Sequence, residues 1–316
     1  MIKKKGFLCK AKQYRILLFM LLPAVVYTLI FAYLPMGGIV LAFKDFNYTD
    51  GIFFSPWCGF QNFQFFFQSG QALKITVNTL VYNLIFIVVG TVLQVAVAIL
   101  LSELGGKYYK KIAQSVMFLP YFISWVIVSV IAFNLLSYDY RLINSLLSGL
   151  GMEKINFYAD ATFWPVILVF FSSWKGVGYG SVMYLAAIMG IDISMYEAAE
   201  IDGVNVFQRI FRITLPCLTP TLVTLFLLAL GGVFRGNFDM FYNLIGDNGL
   251  LYNVTDMIDT FTFRALITSN DFGMASAAGL YQSVFCFITI VVVNQVVKKC
   301  NEGYALFCVL SHSGWC

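Results

Sequence analysis

The stretch from Val77 to Leu101, VNTLVYNLIFIVVGTVLQVAVAILL, contains no Asp, Glu, Lys or Arg. A helix needs about 20 predominantly apolar residues to cross the hydrocarbon core of a lipid bilayer. Backbone polar groups in that core must hydrogen-bond within the chain, and the alternating pattern of a barrel strand is absent here. The stretch therefore predicts a membrane-spanning α-helix.

Five more apolar runs of similar length lie on either side of this stretch. They cover residues 16–40, 112–136, 162–189, 218–242 and 279–297. The chain of 316 residues is 60% hydrophobic and 11% charged, with a mean hydropathy of +0.81. A soluble protein uses charge for about a quarter of its residues and has a broad exterior to wet. The sequence predicts an all-α membrane protein with six transmembrane helices and both termini on one side.

The distribution of Lys and Arg predicts the orientation, because cytoplasmic loops carry an excess of both. With the N-terminus inside, 13 of the 20 Lys and Arg residues lie on the cytoplasmic side and five lie outside. The cytoplasmic set is Lys3, Lys4, Lys5, Lys10, Lys12, Arg15, Lys107, Lys110, Lys111, Arg209, Arg212, Lys298 and Lys299. The outer set is Lys44, Lys74, Arg141, Lys154 and Arg264, and Lys175 and Arg235 fall inside predicted spans. The first run exceeds the apolar region of a secretory signal and has no cleavage site, which predicts an uncleaved span.

Several classes of function are excluded by what the sequence lacks. The positive charges stand at the ends of apolar runs, so no basic face for nucleic acid is predicted. The seven cysteines form no C-x-x-C pair and the single histidine, His312, lies in the tail, so no metal site and no disulfide framework are predicted. No G-x-x-x-x-G-K-[ST] motif is present, so no ATPase site and no catalytic residue are expected in this chain.

The cytoplasmic stretch 190–216 predicts two short helices. Ser194 followed by Glu197 has the spacing of a capping box, and Gly203 suits the left-handed position after a helix. The first helix would have about 8 residues and a length of ~12 Å. Asn205 with Gln208 repeats the N-terminal signature, and Pro216 is expected to interrupt the second helix.

The first of these helices has the composition of a docking element. Small side chains at Ala198 and Ala199 allow close approach to another protein, and Glu197, Glu200 and Asp202 offer carboxylates to basic groups there. The alternative is an ordinary amphipathic helix at the membrane interface, in which Glu197 only caps its own helix. Spacing alone leaves both interpretations open.

A family resemblance bears on this choice. Glu197-Ala198-Ala199, then Gly203, then Ile213-Thr214-Leu215-Pro216 match the EAA-x3-G-x9-I-x-LP loop of binding-protein-dependent ABC importer permeases, before the penultimate span. The resemblance implies the ABC type I importer permease fold, and it implies that the loop docks on a cytoplasmic ATPase. The residues that it places at this joint are Glu197, Ala198, Ala199, Glu200, Asp202, Gly203, Leu215 and Pro216.

Other segments resemble the carbohydrate-uptake branch of these permeases, which handles multiple sugars and polysaccharide fragments. They are Phe60–Phe63, Trp174-Lys175, Tyr184–Ala187 and Asp256–Thr260. The resemblance implies a second permease subunit, two ATPase subunits that use ATP and Mg, an external solute-binding protein and a sugar substrate. It also implies that this chain binds no cofactor of its own.

The sequence divides into four segments on this interpretation. Residues 1–15 are a basic cytoplasmic N-terminus, and 16–74 hold the first span and an outer segment rich in Phe that is expected to lie at the membrane interface. Residues 75–299 form the transmembrane domain with the coupling loop 190–216. Residues 300–316 form the C-terminal tail.

Candidates for the substrate path are Trp174, Lys175, Tyr179, Arg235 and Asp239. A Lys within a membrane is costly and predicts function, although pairing with an acid or a backbone carbonyl is the structural alternative. Arg235 and Asp239, four residues apart, are expected either to bind sugar or to pair with each other. The aromatic residues fit sugar stacking and equally fit helix seams.

Two other functions fit six hydrophobic spans. A secondary transporter driven by an ion gradient predicts intramembrane acids or inverted repeats, and only Asp239 comes near that description. A channel or structural membrane protein needs no capped, acidic cytoplasmic helix. The expected function is therefore that of a sugar importer's permease subunit, working by alternating access.

Overall fold

The computed structural model of the protein describes residues 14–68, 70–138 and 142–300. Within these ranges, five helices are long and apolar enough to cross a membrane, and a bent helix pair makes a sixth pass. The six spans, numbered in chain order, are Arg15–Phe43, Gln71–Glu103, the pair Tyr108–Phe122 and Trp125–Leu136, Ala161–Met189, Val206–Gly231 and Phe272–Gln295. The predicted all-α architecture is confirmed.

Shorter helices connect the spans. They are Gly51–Phe54, Gln61–Gln68, Leu142–Gly149, Ile193–Ile201, Phe238–Ile245, Tyr252–Thr255 and Ile258–Ile267, and the last span continues as a helix to Cys300. An isolated bridge joins Lys44 to Trp57. The basic residues 1–13, Arg141 and the tail 301–316 with His312 lie outside the described residues.

The first span changes its helical form along its length. It is an α-helix over Arg15–Thr28, a π-helix over Leu29–Tyr33 and a 3₁₀-helix over Leu34–Phe43. The α-helical part buries no residue against the rest of the chain, whereas Leu41 and Ala42 near the C-terminal end of the span are buried. This span is therefore attached to the protein through its C-terminal end.

The outer segment after span one is held by backbone contacts. The buried Lys44 donates from Nζ to the carbonyls of Ile52 at 3.1 Å and Phe53 at 2.6 Å. Asn62 donates from Nδ2 to the carbonyls of Ala42 at 3.1 Å and Lys44 at 3.0 Å, where the 3₁₀-helix ends. These bonds satisfy carbonyls that a helix end leaves without partners.

The third span is not the straight helix that was predicted over 112–136. Its two halves meet at an angle of 94°, with a short 3₁₀ turn, Leu119–Phe122, at the junction. Pro120 supplies no backbone donor there, and Ser124 caps the second half by accepting from the N–H of Ile127 at 3.4 Å. Hydropathy does not register this break because the residues on both sides are apolar.

The predicted fifth span, 218–242, is also wrong at both ends. The helix begins at Val206 in the loop 190–216 and ends at Gly231. A turn over residues 232–237 follows, and a separate helix, Phe238–Ile245, starts where the side chain of Asn237 accepts from the N–H of Met240 at 3.2 Å. The paired glycines, Gly231 and Gly232, and the capping Asn237 end one helix and start another.

Three groups of buried side chains hold the helices together. The largest includes Tyr82, Trp164, Leu168, Met240 and Phe241 and joins spans two, three and four to the helix Phe238–Ile245. A second group joins spans two, four and five through residues such as Ala98, Leu185 and Leu218. A third links Phe66 to Ile258, Phe261 and span six. The loop 190–216 contacts the second group through Ile210 and Leu215.

Candidate functional site

The loop helix Ile193–Ile201 has its N-cap two residues before the expected one. Asp192, and not Ser194, is its N-cap, because an Oδ1 of Asp192 accepts from the N–H of Ser194 at 3.0 Å. This bond holds the pKa of the Asp192 carboxyl below its usual value. The predicted capping box of Ser194 and Glu197 is therefore wrong, and Glu197 is exposed and is not needed as a cap.

The end of the loop helix agrees with the prediction for Gly203. This residue has a φ of +67°, and its N–H donates to the carbonyl of Glu200 at 3.1 Å. The N–H of Val204 donates to the carbonyl of Ala199 at 3.0 Å. This pair of bonds is the Schellman motif, which needs a left-handed residue where glycine has no steric cost. The helix thus has a fixed start and a fixed end.

The second helix of the loop runs without interruption into span five. Asn205 and Gln208 form the predicted capping box, with side chain to backbone bonds of 2.8 Å and 3.2 Å. A π-helical turn, Ile210–Thr214, follows, and Pro216 lies in the first turn of Leu215–Gly231. Pro216 does not end the helix as expected, and the π-helical turn directly before it is where the helix departs from the regular hydrogen-bond pattern that a proline cannot complete.

The loop presents carboxylates and apolar side chains on an exposed surface. Glu197, Ala198, Glu200, Asp202 and Gly203 are all exposed, whereas Ala199 is only 6% exposed. Leu215 is half-buried and Pro216 is exposed. Large apolar side chains on the same loop stand out from the protein, namely Ile193, Ile201, Phe207 and Phe211. The loop therefore has the composition of a surface that contacts another protein. Of its two small residues, only Ala198 is available for such a contact.

Four residues tie the loop to the spans through side-chain contacts that were not predicted from the sequence. The hydroxyl of Tyr196 lies 3.1 Å from Oγ1 of the buried Thr214. Arg209 forms an ion pair with Glu103 at the end of span two, and its Cζ lies 5.9 Å from the centroid of the Tyr196 ring. An acid that ends an apolar run, with arginines in a facing loop, is the sequence signal for such a pair.

Lys175 of span four lies against the bend of span three and is bonded to backbone carbonyls, which was the structural alternative to a role in substrate binding. Its Nζ donates to the backbone carbonyls of Pro120 at 3.3 Å, Tyr121 at 2.7 Å and Ile123. The same Nζ lies 5.4 Å from the centroid of the Trp125 ring. A cation at the end of a half-helix is favourable because the carbonyls there carry partial negative charge.

Trp174 and Tyr179 are separated by the structure. Trp174 lines an apolar groove of about 460 Å³ between spans three and four. Tyr179 stacks on Tyr121 with ring centroids 4.2 Å apart and also lines a cavity of about 440 Å³ between spans two, four and five. This cavity adds three polar residues, Asn83, Thr91 and Gln94, that stand inside the run 77–101 and were missed.

Arg235 and Asp239 do not form the predicted pair. Arg235 lies in the turn after span five and Asp239 lies in the first turn of the next helix, so the two do not share a helical face. Both side chains are exposed, and the ion pairs within the described ranges are Arg209–Glu103 and Arg264–Asp256. Neither residue lines the cavity beside Tyr179.

The part of the chain that holds this loop matches a known protein family. A family model described as the binding-protein-dependent transport system inner membrane component matches residues 94–301, which include the whole loop and the four spans around it. The chain belongs to this family. As such an inner membrane component it is a multi-pass membrane protein of a binding-protein-dependent system, which favours this function over an ion-gradient-driven transporter or a channel.

Relatives match almost the full length of this inner membrane component. Protein LplB of Bacillus subtilis is 33% identical over 297 residues, which are 94% of this chain and 93% of that protein. The polygalacturonan/rhamnogalacturonan transport system permease protein YteP of the same organism is 33% identical and covers 95% and 93%. A chain in the crystal structure of a bacterial alginate ABC transporter, in complex with an alginate pentasaccharide-bound periplasmic protein, is 31% identical with a TM-score of 0.84 and covers 94% and 98%. The ABC importer permease fold is confirmed.

Proposed function

We propose that this chain is a permease subunit of an ATP-driven importer that moves an oligosaccharide across the cytoplasmic membrane. Its partners are a second permease subunit, two ATPase subunits that use ATP and Mg, and an extracytoplasmic solute-binding protein. Both termini lie in the cytoplasm. The relatives named above support the sugar class, since one serves polygalacturonan and rhamnogalacturonan and another serves alginate.

The proposed coupling site is the loop helix Ile193–Ile201 with its flanking turns. The observation that carries the proposal is an exposed helix with a fixed cap at each end, on which Glu197, Glu200 and Asp202 point away from the body of the chain. A rigid helix transmits a push from a partner, whereas a free loop absorbs it. The exposed carboxylates offer charge-assisted bonds to basic groups of an ATPase.

The cavity beside Tyr179 is the proposed substrate path. Its lining combines amides and hydroxyls, at Asn83, Gln94 and Thr91, with the aromatic rings of Tyr179 and Tyr184. Sugars offer hydroxyls for hydrogen bonds and flat C–H faces for aromatic rings. No acidic or basic side chain stands among the described residues that line it, which fits recognition of hydroxyl groups.

The experiment compares coupling variants in the assembled complex. Glu197→Arg reverses an exposed charge, and Gly203→Pro removes the N–H that bonds Glu200 and forbids a φ of +67°. Both are expected to abolish sugar-stimulated ATP hydrolysis while the chain stays in the membrane. Gly151→Pro is the matched control, because Gly151 also has a positive φ of +75° and donates to a helix carbonyl, at Ser148.

Survival of both uptake and stimulated ATPase activity in the two coupling variants contradicts the coupling role. Purification of the chain in mild detergent tests the partners separately. An ATPase and a second permease are expected to co-purify, and isolation of this chain by itself in active form supports the ion-driven alternative instead.

A further inference from the structure

The cytoplasmic end of span two contacts the loop through one ion pair. Glu103 is the last residue of span two, and Arg209 is the last residue of the helix Val206–Arg209. A guanidinium nitrogen of Arg209 donates to a carboxylate oxygen of Glu103, although 106 residues separate them along the chain. Their side chains are only 28% and 24% exposed, so solvent screens this pair less than it screens a surface pair.

The same guanidinium also contacts the loop helix. Its Cζ lies 5.9 Å from the centroid of the Tyr196 ring, one residue before Glu197. The hydroxyl of Tyr196 is in turn 3.1 Å from Oγ1 of Thr214, the last residue of the π-helical turn. Arg209 therefore touches the loop helix on one side and the end of span two on the other.

Connection along the chain does not supply this link. Residues 190–192 join the loop helix to span four, and residues 202–205 join it to span five. Span two has no such connection to the loop, although its inner half packs against spans four and five through residues such as Ala98. Tyr196, Arg209 and Glu103 form a continuous set of side-chain contacts from the loop helix to the end of span two.

The chemistry of arginine suits this task. The planar guanidinium holds its donors in a rigid fork, so an arginine resists reorientation better than a flexible ammonium group does. The Nε of Arg209 is buried and has no hydrogen-bond partner within the described part of the chain. The π-helical turn that begins at the next residue, Ile210, marks a place where the helix departs from regular geometry, as helices often do at functional sites.

We propose that the pair Arg209–Glu103 is the clamp by which the loop helix moves span two. Both residues are positioning residues, since they act through the loop and touch neither nucleotide nor sugar. The inference rests on the proposed coupling function of the loop. It adds a specific route by which motion at the loop reaches the wall of the cavity lined by Asn83, Thr91 and Gln94, which all belong to span two.

A charge swap in the assembled transporter tests this clamp. The variants are Glu103→Arg, Arg209→Glu and the double swap, and the readout is the ratio of sugar-stimulated to basal ATP hydrolysis. Each single variant is expected to lower this ratio about tenfold, which corresponds to about 1.4 kcal/mol. The double swap is expected to restore most of it. Lys111→Glu is the control, because Lys111 is an exposed cytoplasmic residue outside the loop.

The outcomes separate this clamp from the wider function. If single variants keep the wild-type ratio, or if the double swap is no better than the worse single variant, the clamp is refuted while a responsive wild type still supports the importer. Absence of stimulation in the wild type refutes the importer itself. If the charge-reversal variants do not assemble into the transporter, Arg209→Lys and Glu103→Gln take their place. These milder variants are expected to lower the ratio of stimulated to basal ATP hydrolysis while the transporter still assembles.

Discussion

Replacement of Lys175 by Met tests whether this lysine binds substrate or holds the bend of span three. Met is similar to Lys in length and removes all three donors from the carbonyls of Pro120, Tyr121 and Ile123. The structure predicts a loss of support for the bend, because the carbonyls of Tyr121 and Ile123 lose their ammonium donor, whereas that of Pro120 keeps the N–H of Ile123.

The magnitude follows from the bonds that Met cannot replace. A hydrogen bond from a charged donor contributes about 1.5–3 kcal/mol, and the carbonyl of Pro120 keeps the N–H of Ile123 at 3.2 Å, so losing the other two bonds costs about 3–6 kcal/mol. Met offsets part of this cost because it has no charge to remove from water, so the net loss is about 2–4 kcal/mol. A loss of this size lowers the apparent melting temperature by about 5–15 °C.

The assay has two parts on the purified complex. Thermal unfolding measures the loss of stability, and uptake into proteoliposomes compares a neutral oligosaccharide with a uronate-containing one. Lys175→Met is expected to lower the melting temperature and to reduce uptake of both sugars alike, whereas Lys175→Arg keeps charge and donors and recovers part of both. If Lys175→Met keeps the wild-type melting temperature and loses only uptake of the uronate-containing sugar, the structural role is refuted and Lys175 is instead a substrate-binding residue.

Two further substitutions test the packing around the spans. A Cβ at Gly178 would lie 1.8 Å from the carbonyl oxygen of Met117. Gly178→Ala is therefore expected to destabilise the contact of spans three and four by about 3 kcal/mol or more. Gly176→Ala is the control, because a Cβ at Gly176 would meet nothing within 4 Å. Equal yields and melting temperatures for the two variants contradict that close approach. Asn62→Ala leaves the carbonyls of Ala42 and Lys44 without their donor and is expected to lower the stability by about 1–3 kcal/mol. Thermal unfolding measures this loss, with Gln61→Ala at an exposed position as the control. An unchanged stability would show that water replaces the amide.

Hydropathy and capping chemistry predict those parts of the molecule in which a local cause decides the structure. The run 77–101 forms a helix because its apolar length suffices, and Gly203 ends the loop helix because only a left-handed residue closes the Schellman motif. Asn205 and Gln208 bond each other across three residues, so their capping box is visible in the sequence. These features need no information from distant residues.

The errors arise where two causes compete or where the partner lies far along the chain. Asp192 and Ser194 are both good caps, and the spacing of Ser194 to Glu197 favoured the wrong one. The bend of span three depends on Lys175, which follows Pro120 by 55 residues. Hydropathy also runs through the turn after Gly231, because Val233 and Phe234 are apolar and buried although the helix has ended.

The contact between Lys175 and the bend has a consequence for how the protein is made. A lysine at the centre of a single helix costs about 2.5–3.5 kcal/mol on insertion through the translocon. Because synthesis proceeds from the N-terminus, the acceptor carbonyls at Pro120, Tyr121 and Ile123 emerge from the ribosome before Lys175 does. Span four therefore enters the lipid after the residues whose carbonyl oxygens bond its ammonium group in the folded protein, so the acceptors that offset the cost of this lysine are made before the lysine itself.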